Sequence, residues 1–394
     1  MYRFTARTHT EVTMYQLATN RIQQLDQLLG TAIAEFDIPD DVYQLAVSRY
    51  GAVAVALADY WDESPSDGLV YPQGSFRLGT VVQPINPDDE YDIDLVCRRD
   101  LQKESITQQT LKADIGYGLN RYVASQPAGN PVRAEGVRCW TLNFPLEPFH
   151  MDVLPALPDA EGSPNAILLT DRRLREWQHS NPVDYASWFH ARMREEFLEL
   201  RQAVAKQMDI EEVSDSRVKT TLQRTVQALK RHRDIYFGEQ PHDRPASIIV
   251  TTLAATAYTG GGSISEILPA ITGQMASLVE RRSGVYWVAN PVQPEENFAD
   301  RWRYHPGSDQ RFFEWIERAH LDFSGYGSEL GLDSVLAKVA KSLGESPARG
   351  AARVTGAGVA GMRDAGVLGI GVGTGALGTA VGRPVRAHTF HGDT

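Results

Sequence analysis

The stretch Tyr91–Cys97, YDIDLVC, narrows the possible folds more than any other part of the chain. Its Tyr, Ile, Leu and Val content reads as a β-strand, in which successive side chains project to opposite faces. Residues two apart share a face, about 6.6 Å apart along the strand. Asp92 and Asp94 then point together, while Ile93 and Leu95 point into a core. Two ionised carboxylates on one face of an otherwise apolar strand repel each other unless a counter-charge joins them. A divalent cation is the simplest remedy. Magnesium leads, because it takes one or two carboxylates and fills its other positions with water and substrate phosphates.

Two further stretches give this pair a context. FHMDVLPAL, residues 149–157, is a second strand-like run carrying Asp152 between Met151 and Val153. If it pairs beside the first strand, three carboxylates converge, enough to hold two metals about 3.5–4 Å apart for an in-line phosphoryl transfer. Upstream, YPQGSFRLGTVV at residues 71–82 places Gly74 and Ser75 in a turn at a helix start. A glycine lets the backbone approach a phosphate closely, and the hydroxyl and following amides can donate to it. Separately, a D-x-D pair reads as a solvated strand face and a Gly-Ser turn as little more than a turn. In order, with D-x-D beginning 17 positions after Ser75, they read as one site.

The rest of the chain is organised around that centre. TMYQLATNRIQQLDQLLGTAIAEF and DDVYQLAVSRYGAVAVALADYW carry apolar residues in three- and four-residue steps, so two helices precede the strands. The second, with Asp40 and Asp41 at its start, is expected to pack beneath the sheet. From Leu69 to Leu157 come GLVYP, TVVQP, YDIDLVC, VRCWTLNF and FHMDVLPAL as strands, interrupted by one helix within residues 105–126. Trp140 and Phe144 are expected in the core. Strands on either side of a helix make this an α+β lobe, residues 1–180 with the N-terminal helices. Residues 181–343 read as an all-helical second lobe. From 344 onward lie thirteen of the 33 glycines, and no aromatic residue occurs between Tyr326 and Phe390, so residues 344–394 are expected to be a flexible tail.

Bulk properties exclude several classes. The net charge of −11 argues against a long nucleic acid as main partner, which calls for a basic field. Cys97 and Cys139 are too few for a disulfide framework or a zinc module, and Cys97, ending an apolar strand, reads as a buried thiol. The N-terminus lacks an apolar core of signal-peptide length, so a cytoplasmic location is expected. AGVLGIGVGTGALGTAVG, residues 365–382, is uncharged but has seven glycines among its 18 residues, too many for an ordinary spanning helix.

QGSFRLGTVV, EYDIDLV and FHMDVLPA together resemble the polymerase-β-like nucleotidyltransferases. Within them the chain looks like the bacterial CD-NTases, the cGAS/DncV-like enzymes of CBASS anti-phage defence, from about residue 40 to residue 260. The resemblance implies a bilobal enzyme that binds two magnesium ions, with manganese as a substitute, and two nucleoside triphosphates, ATP or GTP. A ribose hydroxyl of one attacks the α-phosphate of the other, and the product closes into a cyclic di- or trinucleotide read by a downstream effector.

Carried onto this chain, Asp92, Asp94 and Asp152 are the catalytic metal ligands, and Gln73, Gly74 and Ser75 grip the β- and γ-phosphates. Lys230 stands where the family has a phosphate-contacting lysine, or on a solvated helix face. Ser247 matches the serine that joins it, or caps its helix. Arg77 reaches a phosphate or pairs with surface carboxylates. His150 shares a strand face with Asp152 and reads as a structural residue. In many such operons an E1/E2-like protein conjugates the synthase through its C-terminus, and the ending HTFHG resembles an acceptor, although Asp393 and Thr394 follow it. Activation by duplex DNA is not expected, and neither is membrane insertion. The competing reading is a template-independent transferase acting on RNA ends or on a protein or small-molecule hydroxyl.

Overall fold

The architecture is that of a computed structural model describing residues 9–64, 69–86, 88–136, 138–170, 176–208, 218–238, 240–329, 331–370, 377–378 and 383–385. Two helices, α1 (His9–Ala34) and α2 (Asp40–Tyr60), come first. The first lobe then runs β1 (Val70–Pro72), α3 (Gly74–Leu78), β2 (Tyr91–Arg98), α4 (Gln108–Ser125), β3 (Val132–Glu135), β4 (Trp140–Asn143), β5 (Phe149–Pro158), β6 (Ile167–Leu169) and β7 (Gln178–Ser180). These seven strands form one mixed sheet with the path β1-β2-β5-β4-β3, and β6 and β7 continue from the far end of β5. Every pairing is antiparallel except β2 with β5, which run parallel over their whole length.

Alternation explains the packing of the central strand. Tyr91, Ile93 and Leu95 face a core built with Phe149, Met151 and Val153 of β5, and α2 and α4 cover it through Val53, Leu57, Leu111, Ile115 and Leu119. Trp140 and Phe144 are in that core, and Cys97 is fully buried. The opposite face of β2 is covered as well, with Val96 packed on Tyr71, Ala156 and Ile167. Asp92 and Asp94 are left at the N-terminal end of the strand, exposed and half-buried respectively.

The second lobe comprises α5 (Pro182–Ala191), α6 (Arg194–Met208), α7 (Thr221–Tyr236), α8 (Ser247–Ala257) and α9 (Ile264–Met275). After two short β-pairs come α10 (Ser308–Ser324), α11 (Leu332–Leu343) and α12 (Glu345–Asp364). Helix α7 is central to it, started by a reciprocal cap in which the Thr220 hydroxyl accepts from the Gln223 amide and the Gln223 side chain accepts from that of Thr220.

Several expectations are corrected. The second lobe is not all helical: β8 (Glu280–Arg282) pairs with β9 (Val285–Trp287), and β10 (Ala289–Asn290) with β11 (Gln293–Asn297). They are two to five residues long, and ERR, AN and QPEEN lack the alternating apolar pattern that announces a strand, while VYW is too short to show one. Helix α1 belongs with this lobe, since Leu28, Leu29, Ala32, Ile33 and Phe36 join the core of α7, α8 and α9. TVVQP forms no strand; side chains of α7 take its carbonyl groups instead. VRCWTLNF contributes only the short β4, while β3, β6 and β7 carried no clear signal.

The chain does not loosen at residue 344. Helix α12 packs on α1 and α11, with Ala348 and Ala351 buried. Its small residues let the helices approach so closely that a Cβ at Gly350 would lie 2.6 Å from the Glu35 carboxylate. Close contact replaces the missing aromatics. A last small sheet, β12 (Gly369–Ile370), β13 (Leu377–Gly378) and β14 (Arg383–Pro384), follows. HTFHG, Asp393 and Thr394 lie outside the described residues. No helix among the described residues is long and apolar enough to cross a membrane.

Candidate active site

The parallel register of β2 and β5 builds the acidic centre. Asp94 is the pairing partner of Asp152 and Asp92 that of His150, so the four side chains share one end of one sheet face. One ligand oxygen from each of Asp92, Asp94 and Asp152 lies within 4.8 Å of the others. Three carboxylates offering hard oxygen donors around one point fit a divalent cation of the magnesium type.

The electrostatics show the strain of gathering them. Burial, then Asp92, then Asp152 push the Asp94 carboxyl up to about 7. Partners fix the other two. The Thr141 hydroxyl, opposite Asp152 on β4, donates to Asp152 Oδ1 at 2.6 Å. His150 sits between Glu90, at 3.2 Å from Nδ1, and Asp92, at 3.4 Å from Nε2. Hydrogen bonding to Asp92 is the main reason that the imidazole is pushed up to about 9.

Helix α3 leans on this centre. The amide of Gln73 donates to the Asp94 carbonyl at 2.8 Å, linking β1 to β2 at the point where the helix begins. Gly74 follows with φ +59°, and a Cβ there would stand 2.6 Å from Asp94 Oδ2. Only a glycine lets the first turn of α3 meet the carboxylate so closely. Ser75 is next, half-buried, its carbonyl accepting from the Thr80 amide at 2.9 Å.

The other sequence candidates are placed differently. Lys230 is buried rather than solvated, and donates to the carbonyl and hydroxyl of Thr80 at 3.1 and 3.2 Å. Burial first, then Arg233, pushes its ammonium down to about 7. Arg77 donates to the Pro72 carbonyl at 3.3 Å and lies over the Tyr71 ring. Ser247 is exposed at the first position of α8 and accepts from Arg233 at 2.8 Å; it makes no side-chain cap. Thr141 and Glu90 escaped sequence reasoning, because their partners are set by strand pairing and a loop rather than by a local motif.

Residues 69–155, from the entry of β1 to the middle of β5, match the family described as cyclic GMP-AMP synthase DncV-like, nucleotidyltransferase domain. The chain carries a DncV-like nucleotidyltransferase domain. The nucleotidyltransferase domain contains all three aspartates and α3. Over 391 residues the chain is 29% identical to a c-di-GMP synthase of Roseivirga ehrenbergii, covering 96% of this chain and all of that one. It is 28% identical over 302 residues to the cyclic dinucleotide synthase CdnG of Bradyrhizobium diazoefficiens, covering 71% of this chain and 70% of CdnG. The solved structure of that CD-NTase in complex with GTP superposes with a TM-score of 0.67, at 20% identity, over 84% of this chain and 99% of CdnG. The bilobal fold is the CD-NTase fold.

Proposed function

We propose that this nucleotidyltransferase is a cyclic oligonucleotide synthase, which joins two or three purine nucleoside triphosphates into a ring. The observation that carries the proposal is the convergence of Asp92, Asp94 and Asp152 beneath a glycine-opened helix turn. The relatives that span most of the chain are named as cyclic dinucleotide synthases, which supports the same reading. Magnesium, when bound, supplies the positive charge that neutralises the polyphosphate and eases loss of pyrophosphate.

In this proposal the three aspartates are its ligands, and the Gly74–Ser75 turn holds the β- and γ-phosphates through its amide groups and the serine hydroxyl. Thr141 keeps Asp152 aimed at the centre, and His150 does the same for Asp92. A ribose hydroxyl of one nucleotide attacks the α-phosphorus of the next; a P–O bond forms, the bond to the bridging oxygen breaks, and pyrophosphate leaves. A second transfer closes the ring. Burial of Lys230 beneath Thr80 gives it an indirect hold on the same turn. The proposal extends to anti-phage signalling, in which the ring acts on a downstream cyclic-nucleotide effector and the chain end serves an E1/E2-like conjugating protein.

Incubation with four labelled nucleoside triphosphates and magnesium tests the reading. A product resistant to phosphatase and to exonuclease is expected. Linear products only, or label transferred to added RNA, would overturn ring closure.

A further inference from the structure

Four side chains of α7 and Lys219, which lies just before its cap, donate to five carbonyls between Leu78, the last residue of α3, and Gln83. Gln223 Nε2 donates to Leu78 O at 3.0 Å, and Lys219 Nζ to Gly79 O at 2.9 Å. Lys230 Nζ reaches Thr80 O at 3.1 Å, Gln227 Nε2 reaches Val81 O at 2.8 Å, and Arg231 Nη2 reaches Gln83 O at 2.6 Å. From Gln223 to Gln227, and from Gln227 to Lys230 and to Arg231, the step is three or four residues, the spacing that brings helical side chains to one side. An extended segment lying on a helix has no backbone donors opposite it, so its carbonyls need side chains.

The ladder bears directly on α3. That helix is five residues long; the carbonyl of its last residue, Leu78, is taken by Gln223 and that of its C-cap, Gly79, by Lys219. A Cβ at Gly79, φ +66°, would lie 2.5 Å from Gln223 Nε2, as a Cβ at Gly74 would lie 2.6 Å from Asp94 Oδ2. The short helix is therefore gripped at both ends. The Thr80 amide passes the grip to the Ser75 carbonyl. Asp37 secures Gln227 from the other side, at 2.9 Å from its Nε2.

We infer that Gln227 and Lys219 are positioning residues for the polyphosphate, acting through the main chain of residues 79–81 to fix the Gly74–Ser75 turn against Asp94. The inference rests on the proposed reading of the site. It assigns the second lobe a part in phosphate binding through neutral and cationic donors alike. Hydrogen-bond donation, not charge, is the property that counts.

The test measures steady-state kinetics, and binding of inorganic tripolyphosphate with magnesium, for two pairs of variants. Gln227→Leu and Lys219→Met, which remove a donor, are expected to raise KM for nucleoside triphosphate and weaken tripolyphosphate binding about tenfold, with kcat at saturation within threefold. Gln227→Lys and Lys219→Gln, which keep a donor while changing the charge, are expected to stay within threefold of the unsubstituted chain in both measurements. Unchanged affinity in the donor-free pair, or equal loss in Lys219→Gln and Lys219→Met, overturns the inference. If Gln227→Leu does not fold, the half-exposed Lys219 pair decides it. If the unsubstituted chain binds neither nucleotide nor tripolyphosphate, the reading of the site itself fails.

Discussion

Replacing Gly74 by alanine separates two effects that coincide at that residue. The first is backbone strain, since φ is +59° and an L-residue in the left-handed region costs roughly 1–2 kcal/mol. The second is the contact. A Cβ would stand 2.6 Å from Asp94 Oδ2, so the carboxylate has to retreat by about 0.8 Å to restore ordinary van der Waals contact. A displacement near 1 Å in a reacting geometry costs on the order of 10²-fold in rate, about 2.7 kcal/mol of barrier. Gly129 supplies the control, because its φ of +83° carries comparable strain and nothing lies within 4 Å of a Cβ there. Gly74→Ala and Gly129→Ala are therefore expected to lose similar thermal stability, a few degrees for roughly 1–2 kcal/mol. Only Gly74→Ala should lose turnover, by about 10²-fold in kcat/KM measured as pyrophosphate release. Equal activities in the two variants would refute the assignment of the turn to the site, whatever their melting temperatures.

Asp92→Asn, Asp94→Asn and Asp152→Asn should each reduce pyrophosphate release by at least about 10³-fold, the scale of several kcal/mol of lost charge stabilisation, while circular dichroism spectra stay unchanged. In chelator, the folded chain should lose stability as pH rises from about 4 to about 7: Asp94 titrates near 7 when folded against 3.8 unfolded, so folding favours its protonated form. His150, raised to about 9, adds a loss of the same sign at higher pH, so the Asp94 share is read as the difference between melting curves of the unsubstituted chain and Asp94→Asn. That difference should vanish below pH 4 and shrink on adding magnesium. Thr141→Val removes the 2.6 Å hydrogen bond to Asp152 and should raise the magnesium concentration for half-maximal rate roughly tenfold, with the rate at saturating metal retained.

The acidic centre was legible because strand parity is local. Once YDIDLVC is a strand, Asp92 and Asp94 must share a face, and no distant contact is needed to say so. The pairing of Asp94 with Asp152 was an expectation that required β2 and β5 to be neighbours, which the parallel register makes them. Thr141 and the α7 donors were not legible for the opposite reason. Gln227 and Val81 are 146 residues apart, and nothing in QALKRH marks a glutamine as a donor to a particular carbonyl. TVVQP has the β-branched content of a strand, yet which partner takes its carbonyls is decided by the docking of the second lobe. The last helix was missed because aromatic content stood in for packing. Gly350 and Ala351 pack by letting backbones approach, which no count of large side chains detects.

The surroundings of the aspartates bear on the choice between free nucleotides and RNA ends. Asp88, Asp89, Glu90 and Asp92 follow one another almost without interruption into β2, and all four are exposed. Among the described residues His150 is the ion-pair partner of Glu90 and Asp92, and it answers one charge, not four. A polynucleotide entering here would bring many phosphates towards an uncompensated acidic edge, and would need a row of lysines or arginines to offset the repulsion. A nucleoside triphosphate brings few charges, and divalent cations accompany them. The acidic edge therefore favours small substrates. It also makes a measurable distinction: KM for nucleoside triphosphate should change less than about threefold between 50 and 200 mM salt, whereas a backbone-tracking enzyme with several phosphate contacts loses affinity by orders of magnitude over that range. A steep salt dependence, with competition by single-stranded RNA, would place the substrate among polynucleotides instead.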